Sequence, residues 1–363
     1  MAAGDIWWAD GFDSGNMYGP YTGNVTWSSG YSRVSGSGQG AYFPNQDNGS
    51  SYAYIPNLPS ISEFMFGFAV KLGGWNSTRT WWLLSFCDTN VDAAPGPQAG
   101  ICISSTGYLQ YARKTLNNCN TTAAAILATA TSQPLSPNQW YWIDGKVSIS
   151  NSAYVELRVN GVVALSMTTG LNAVNTANNY AKLFILNYSD TDYNPGITYD
   201  DLYILDNTGD QIGGFTNPYL GDVRVLDLYP NADGYNQGWL PSAGSAHWPL
   251  IDEAGGASDV DLVRTATIGA IDTYQYTNLP TNAIAVYGLM HGVRAAKLDA
   301  GTRTLRLVQR QNSIDYERSA SDVNLTNSFN NYTFIETINP ATGLPWTVDD
   351  INTNAEFGFK LQA

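Results

Sequence analysis

The sequence predicts an all-β chain of two domains. Apolar and polar residues alternate over short runs, as in Phe64-Met65-Phe66-Gly67-Phe68. Gly-Gly and Asn-Gly pairs punctuate the runs, and no long stretch carries the three-to-four spacing of an amphipathic helix. At about 100–200 residues per domain, 363 residues make two.

Composition agrees. Hydrophobic residues make up 44% and charged residues 13% of the chain, which allows a large core with few ion pairs. With 11 Trp, 23 Tyr and 35 Gly, the chain suits half-buried strands joined by tight turns. A net charge of −14 repels phosphate, so nucleic acid is not expected as a partner, while cations such as calcium are accommodated. Cys87, Cys102 and Cys119 are too few for a disulfide framework. The first two lie in apolar runs and read as buried thiols, with a Cys102–Cys119 bridge as the alternative. The start, Met-Ala-Ala-Gly-Asp-Ile-Trp-Trp, has neither the basic nor the apolar region of a signal peptide. No run of about 18 apolar residues occurs, so membrane insertion is not expected.

The elements follow in order. Trp7 to Asp13 opens the chain, and Gly40-Ala41-Tyr42-Phe43 follows a Gly/Ser turn as a strand. In 63–72 the three Phe fall on one face, since residues two apart share a face. Strands follow at Trp81–Phe86, Gly100–Ile103 and Tyr108–Arg113. The Ala-rich stretch 121–131 reads as a helix or an excursion loop. Trp140–Val147 and Ala153–Val159 are strands, and Asn160-Gly161 turns the second into Val162–Leu165, a strong hairpin signal. Ala181–Asn187 and Tyr199–Leu205 complete the first domain, 1–210. Polar, Gly-rich 206–218 marks the boundary. In the second domain, 211–363, strands are expected at Gly221–Leu228, Ala283–Val286, Met290–Lys297, Arg303–Val308, Tyr332–Thr337 and Ala355–Leu361, with 230–244 a turn-rich loop. Thr347-Val348-Asp349-Asp350 resembles a capping box that starts one helical turn. A smaller β-sandwich is expected here, as a docking or oligomerisation domain.

Three motifs then carry a resemblance. Asp10-Gly11-Phe12-Asp13, Asn138–Val147 with Val155–Gly161, and Tyr199-Asp200-Asp201-Leu202-Tyr203-Ile204 together resemble concanavalin A-like (laminin G-like) jelly rolls over about 5–206. The second domain, through Leu220–Val225, Pro230–Gly234, Lys297–Arg303 and Asn339–Gly343 with Trp346-Thr347, resembles a module of tailed-bacteriophage virion proteins. This resemblance implies a tail, fibre or head-surface decoration protein, made in the host cytoplasm and built into the virion. Its partners would be other virion proteins and further copies of itself, a trimer being favoured, and host surface glycan. A lectin-like adhesin outside a virion is the alternative, and a glycan-degrading enzyme a third reading.

No catalytic residues are assigned. Paired carboxylates on one strand, as in the Glu-x-Asp-x-Glu of catalytic relatives, do not occur. His247 lies in a loop and His291 in an apolar strand. The expectation is therefore a non-enzymatic protein. The resemblance implies a structural calcium at Asp201, the Asp10 segment and the Gly40 turn. The competing reading has Asp200 and Asp201 capping strand ends through backbone hydrogen bonds. Candidate sugar contacts are Trp75, Trp81 and Tyr111 on the sheet, and Tyr188, Asp190, Asp192 and Tyr193 in the loop before the last strand, because sugar rings offer C–H faces to aromatics. Arg294, Lys297, Arg303, Arg306 and Arg310 read either as a docking surface for an acidic subunit or as a solvated strand face with local acid partners.

Overall fold

The computed structural model describes residues 6–13, 25–34, 38–44, 50–55, 62–74, 81–88, 97–114, 124–174, 180–188, 196–206, 219–253 and 258–362. It divides into two compact units, Met1–Gln211 with Thr216–Val225, and Leu226–Ala363 with Ile212–Phe215. Both are all-β sandwiches.

The strands of the first unit are β1 (Ile6–Asp10), β2 (Thr26–Ser28), β3 (Gly40–Phe43), β4 (Ser50–Ile55), β5 (Glu63–Leu72), β6 (Trp81–Asp88) and β7 (Pro97–Ile103). They continue as β8 (Leu109–Lys114), β9 (Ala124–Thr129), β10 (Trp140–Ser148), β11 (Ala153–Val159), β12 (Val162–Leu171), β13 (Tyr180–Tyr188) and β14 (Ile197–Asp206). One sheet has eight strands, ordered β12-β11-β10-β5-β14-β3-β2, with β1 also on β14. The other has six, ordered β4-β13-β6-β7-β8-β9. The alternation in β5 sends Phe64, Phe66 and Phe68 to the interior. Phe64 meets Phe86 of the facing sheet edge-on, with ring centroids 4.7 Å apart. Two buried tyrosines tie the sheets: Tyr199 donates to the Leu83 carbonyl at 3.0 Å and Tyr111 to the Ser148 carbonyl at 3.0 Å. Buried hydroxyls need such partners.

The β11–β12 hairpin turns on Asn160 (φ 49°) and Gly161 (φ 79°), the two left-handed residues that the Asn-Gly signal requires. The Ala-rich stretch departs from expectation. Residues 124–129 form β9, an edge strand on β8, because sheet pairing overrides the high intrinsic helix propensity of Ala, which is worth only tenths of a kcal/mol per residue. Cys87 and Cys102 are buried; Cys119 lies outside the described residues. Gly221–Leu228, expected as a strand, pairs with no strand among the described residues. Tyr219–Val225 is instead an extended strap of the first unit, whose polar groups go to side chains.

In the second unit the strands are β15 (Pro230–Gln237), β16 (Leu240–Pro241), β17 (Val263–Arg264), β18 (Ile271–Tyr276), β19 (Leu289–Ala295) and β20 (Thr304–Gln311). After these come β21 (Ile314–Glu317), β22 (Val323–Asn324), β23 (Asn330–Glu336), β24 (Ile338–Asn339), β25 (Leu344–Pro345) and β26 (Ala355–Gln362). The main sheet runs β15-β18-β26-β20-β21, with β22 on β20. Its inner face lies under the two-stranded β19–β23 ribbon. Leu305, Leu307, Leu325 and Phe334 form one core cluster there, with Val293 and Phe359 packed on it. Residues 230–237, expected as loop, are the edge strand β15; its wide bulge against β18 hides the alternation that would have marked it.

The capping box is present. The Asp350 N–H donates to Thr347 Oγ1 at 3.1 Å, and the Thr347 N–H donates back to Asp350 Oδ2 at 3.0 Å. It opens a single turn of π-helix over Asp350–Asn354. Before it, Asn339 Oδ1 accepts the Ala341 N–H at 2.9 Å, which shapes the Asn-Pro-Ala-Thr-Gly turn.

Candidate functional site

The outer face of the second unit's sheet, opposite the ribbon, displays one large aromatic ring in a fixed pose. At Gly234 the β15 backbone crosses so close to the sheet that a Cβ would overlap the Glu356 carboxylate and the Thr273 backbone. Only glycine permits that approach. The next two residues are then pinned over the face. The Tyr235 N–H donates to Glu356 Oε2 at 2.8 Å and the Asn236 N–H to Thr273 Oγ1 at 3.1 Å. Asn236 Nδ2 donates to Asp315 Oδ1 at 3.1 Å. Tyr235 is 73% exposed, and the Arg310 guanidinium lies 3.9 Å from its ring centroid. Arg310 is itself held by Asp315 at 2.7 Å. A cation against an aromatic face is attractive and orients both groups. Across the same face Arg306 bonds Glu317 (2.9 Å) and Asp322 (2.7 Å), and Lys360 bonds Glu317 at 2.5 Å. Hydrogen bonds from Lys360 and Arg306 hold the Glu317 carboxyl below its ordinary range, and Arg306 does the same for Asp322.

The rest of the basic run is paired in the same way. Arg294 pairs with Asp259 at 2.6 Å and Arg303 with Asp299 at 2.6 Å, while Lys297 Nζ donates to the Gly301 carbonyl. With Arg306 and Arg310 paired as well, each arginine of the run has an acid partner from its own unit. These local counter-charges are those of the second reading, a solvated strand face.

The sugar-contact candidates fare as follows. Trp81 and Tyr111 are fully buried, so neither can offer a ring face to a ligand. Alternation shows which residues share a face but not whether that face is covered. Trp75, Asp190, Asp192 and Tyr193 lie outside the described residues, as does the side chain of Tyr188. Tyr235, Asn236, Asp315 and Glu356 were missed. The available signal was an aromatic in an otherwise polar run, Asn231-Ala232-Asp233-Gly234-Tyr235-Asn236-Gln237.

In the first unit the expected calcium position holds arginines. Asp201, with φ 52° at a bulge in β14, is fully buried. Its Oδ2 lies 2.5 Å from Arg33 Nε and 2.9 Å from Arg224 Nε, and its Oδ1 accepts the Val225 N–H at 2.7 Å. Arg33 also bonds Asp222 and the Val223 carbonyl of the strap. Asp10 Oδ1 accepts the Phe12 N–H at 2.6 Å. A Cβ at Gly40 would run into the Tyr31 carbonyl. Among the described residues no group of three or more His, Cys, Asp or Glu is placed to hold a metal. A carboxylate already matched by two guanidiniums does not fit calcium, which needs six to eight oxygens. The competing reading, carboxylates accepting backbone N–H groups, holds in part: Asp200 Oδ2 accepts the Arg33 N–H at 2.8 Å.

Both histidines are packed. His247 Nδ1 lies 2.7 Å from Asp272 Oδ2, which also accepts from the Tyr274 hydroxyl at 2.6 Å. The His291 ring packs tilted against Phe357, with centroids 4.8 Å apart, and its Nε2 lies 3.5 Å from Glu336 Oε2.

No family model matches the chain, and no curated protein matches it. Solved structures do. An endo-β-1,4-glucuronan lyase from the fungus Trichoderma reesei shares 14% identity over 56% of this chain and 97% of its own, with a TM-score of 0.41. Domain 4 of an extracellular GH43 arabinanase from Geobacillus stearothermophilus shares 15% over 56% and 94%, with a TM-score of 0.36. An alginate lyase from Chlorella virus shares 10% over 50% and 89%, with a TM-score of 0.37. These three are named as lyases of glucuronan and alginate and a domain of an arabinanase, and none of the three is named as a virion component. On that finding the expected non-enzymatic virion role is corrected and set aside.

Proposed function

We propose that the chain binds carbohydrate and that the outer face of the second unit's sheet is a recognition surface. The observation that carries this is Tyr235, a 73% exposed ring whose backbone and stacking partner are both fixed. A tyrosine offers a large, rigid contact surface at low cost in side-chain entropy. A preorganised platform also avoids the ordering cost of binding. Around the ring, the Asn236 amide and the Asp315 and Glu356 carboxylates supply the donors and acceptors that sugar hydroxyls require. We read the first unit as the concanavalin A-like jelly roll its motifs resemble; its two facing antiparallel sheets support that reading.

The test is a glycan array, followed by titration of the best ligand against the full chain and Tyr235→Ala. Loss of ring stacking should weaken binding about tenfold, with the melting temperature unchanged because the ring is exposed. Equal affinity in the variant, or no glycan bound above background, would overturn the proposal.

A further inference from the structure

We propose that Asp200 and Asp201 form a pH-sensitive latch, which holds the strap Tyr219–Val225 against the first unit at acid pH and loosens as the pH rises to and past neutrality. The strap is tied to the first unit largely through charge. Arg224 and the Val225 N–H bind Asp201, while Asp222 and the Val223 carbonyl bind Arg33. At its other end Tyr219 lies over the Arg158 guanidinium, 4.0 Å from ring centroid to carbon. Val225 is the last residue of this unit, and Leu226 begins the main stretch of the second, so the latch sits at the covalent junction.

Asp200 is the unbalanced member. It is 1% exposed. Its Oδ2 accepts from the Arg33 N–H at 2.8 Å and the Ser32 hydroxyl at 3.4 Å, but its Oδ1 is buried with no hydrogen-bond partner. An ionised carboxylate so placed is costly; a neutral carboxyl is not. The groups that face the pair are Ser32 and Arg33 from the segment after β2, Asp222 and Arg224 from the strap, and Asp10 from β1, which pairs with Leu202. Beyond Trp142 on β10 lies Asp144, which accepts from the Tyr203 hydroxyl at 2.8 Å.

Burial, then the neighbouring Asp201 charge, pushes the Asp200 carboxyl up to about 7. Burial raises Asp201 as well, opposed by Arg33 and Arg224. The linkage sign is that of a raised acid. The stability that a neutral Asp200 contributes is complete below its ordinary value near 4 and is lost as pH climbs through about 7. Above that, three carboxylates (Asp200, Asp201 and Asp222) share two guanidiniums. Lifting the strap is the least disruptive way to admit water, since Asp222 on it is already 63% exposed at its side chain.

Hydrogen exchange of the full chain reads this directly, because the Val225 N–H is a latch bond. Corrected for intrinsic rates, its protection should fall about tenfold from pH 6 to pH 8.5, while Phe66 and Ile143 in the sheet core keep theirs. Asp200→Asn, neutral at every pH, should hold protection within twofold across the range. Asp201→Asn, if it folds, should leave the strap poorly protected at both ends. A flat wild-type profile would refute the latch, as would an undiminished fall in Asp200→Asn. Simultaneous loss at Phe66 would show global unfolding and refute it equally.

Discussion

Two sets of arginine–carboxylate pairs, one in each unit, use the same chemistry in different solvents. In the first unit Arg33 and Arg224 converge on Asp201, whose side chain is entirely buried. In the second, Arg306 bridges Glu317 and Asp322, whose side chains are 33% and 28% exposed. Distances barely distinguish them. The dielectric does: a unit charge pair is worth several times more out of water, and each member costs correspondingly more to leave unpaired. The buried set therefore fixes the course of the chain around it, while the exposed set dresses a sheet face on which the Tyr235 ring stays 73% exposed.

The largest effect is expected from Asp201→Ala. It strands two guanidiniums and orphans the Val225 N–H, so about 3–5 kcal/mol of stability should be lost, measured by urea denaturation. A loss under 1 kcal/mol would mean that water reaches the cluster and that burial is not the deciding difference. Next in size is Asp272→Ala in the second unit. Asp272 is 2% exposed and receives Tyr274 at 2.6 Å and the Trp239 N–H at 3.2 Å, with His247 at 2.7 Å. Removing it leaves these groups unmatched and should cost about 2–3 kcal/mol. If burial rather than the choice of unit sets the scale, Asp272 will behave like Asp201 and unlike its exposed neighbours.

How far the sequence showed these sites depends on the range of each interaction. The β5 alternation and the Asn160-Gly161 turn are local, and both appear where expected. The buried cluster is not local: Arg33 and Asp201 lie 168 residues apart, and nothing in either neighbourhood reveals the pairing. The same motif residues instead suggested calcium, because a carboxylate at a strand bulge looks alike whether its counter-charge is a metal or a guanidinium. Trp81 and Tyr111 failed as sugar platforms for a related reason. Period two assigns a face, but the coverage of that face is decided by distant segments. Tyr235 escaped notice since the bulge in β15 breaks the alternation that would have placed it on a strand.

The smallest effect belongs to Arg306→Ala, which removes the ion pairs to Glu317 and Asp322. Its side chain is 19% exposed and both acid partners are open to solvent, so water and Lys360, 2.5 Å from Glu317, take over. The loss should be about 0.2–1 kcal/mol, shrinking further in molar salt as the Debye length falls to about 3 Å. Acid titration sharpens the point. Glu317 is held below its ordinary value by Lys360 and then Arg306, and Asp322 by Arg306. The stability they add is present above the unfolded carboxylate range near 4 and is lost as pH falls through their lowered values. The difference between wild type and Arg306→Ala should accordingly vanish in strong acid. A gap that persists at pH 2, or one above about 2 kcal/mol at neutral pH, would show that this face is less open to water than its exposure indicates.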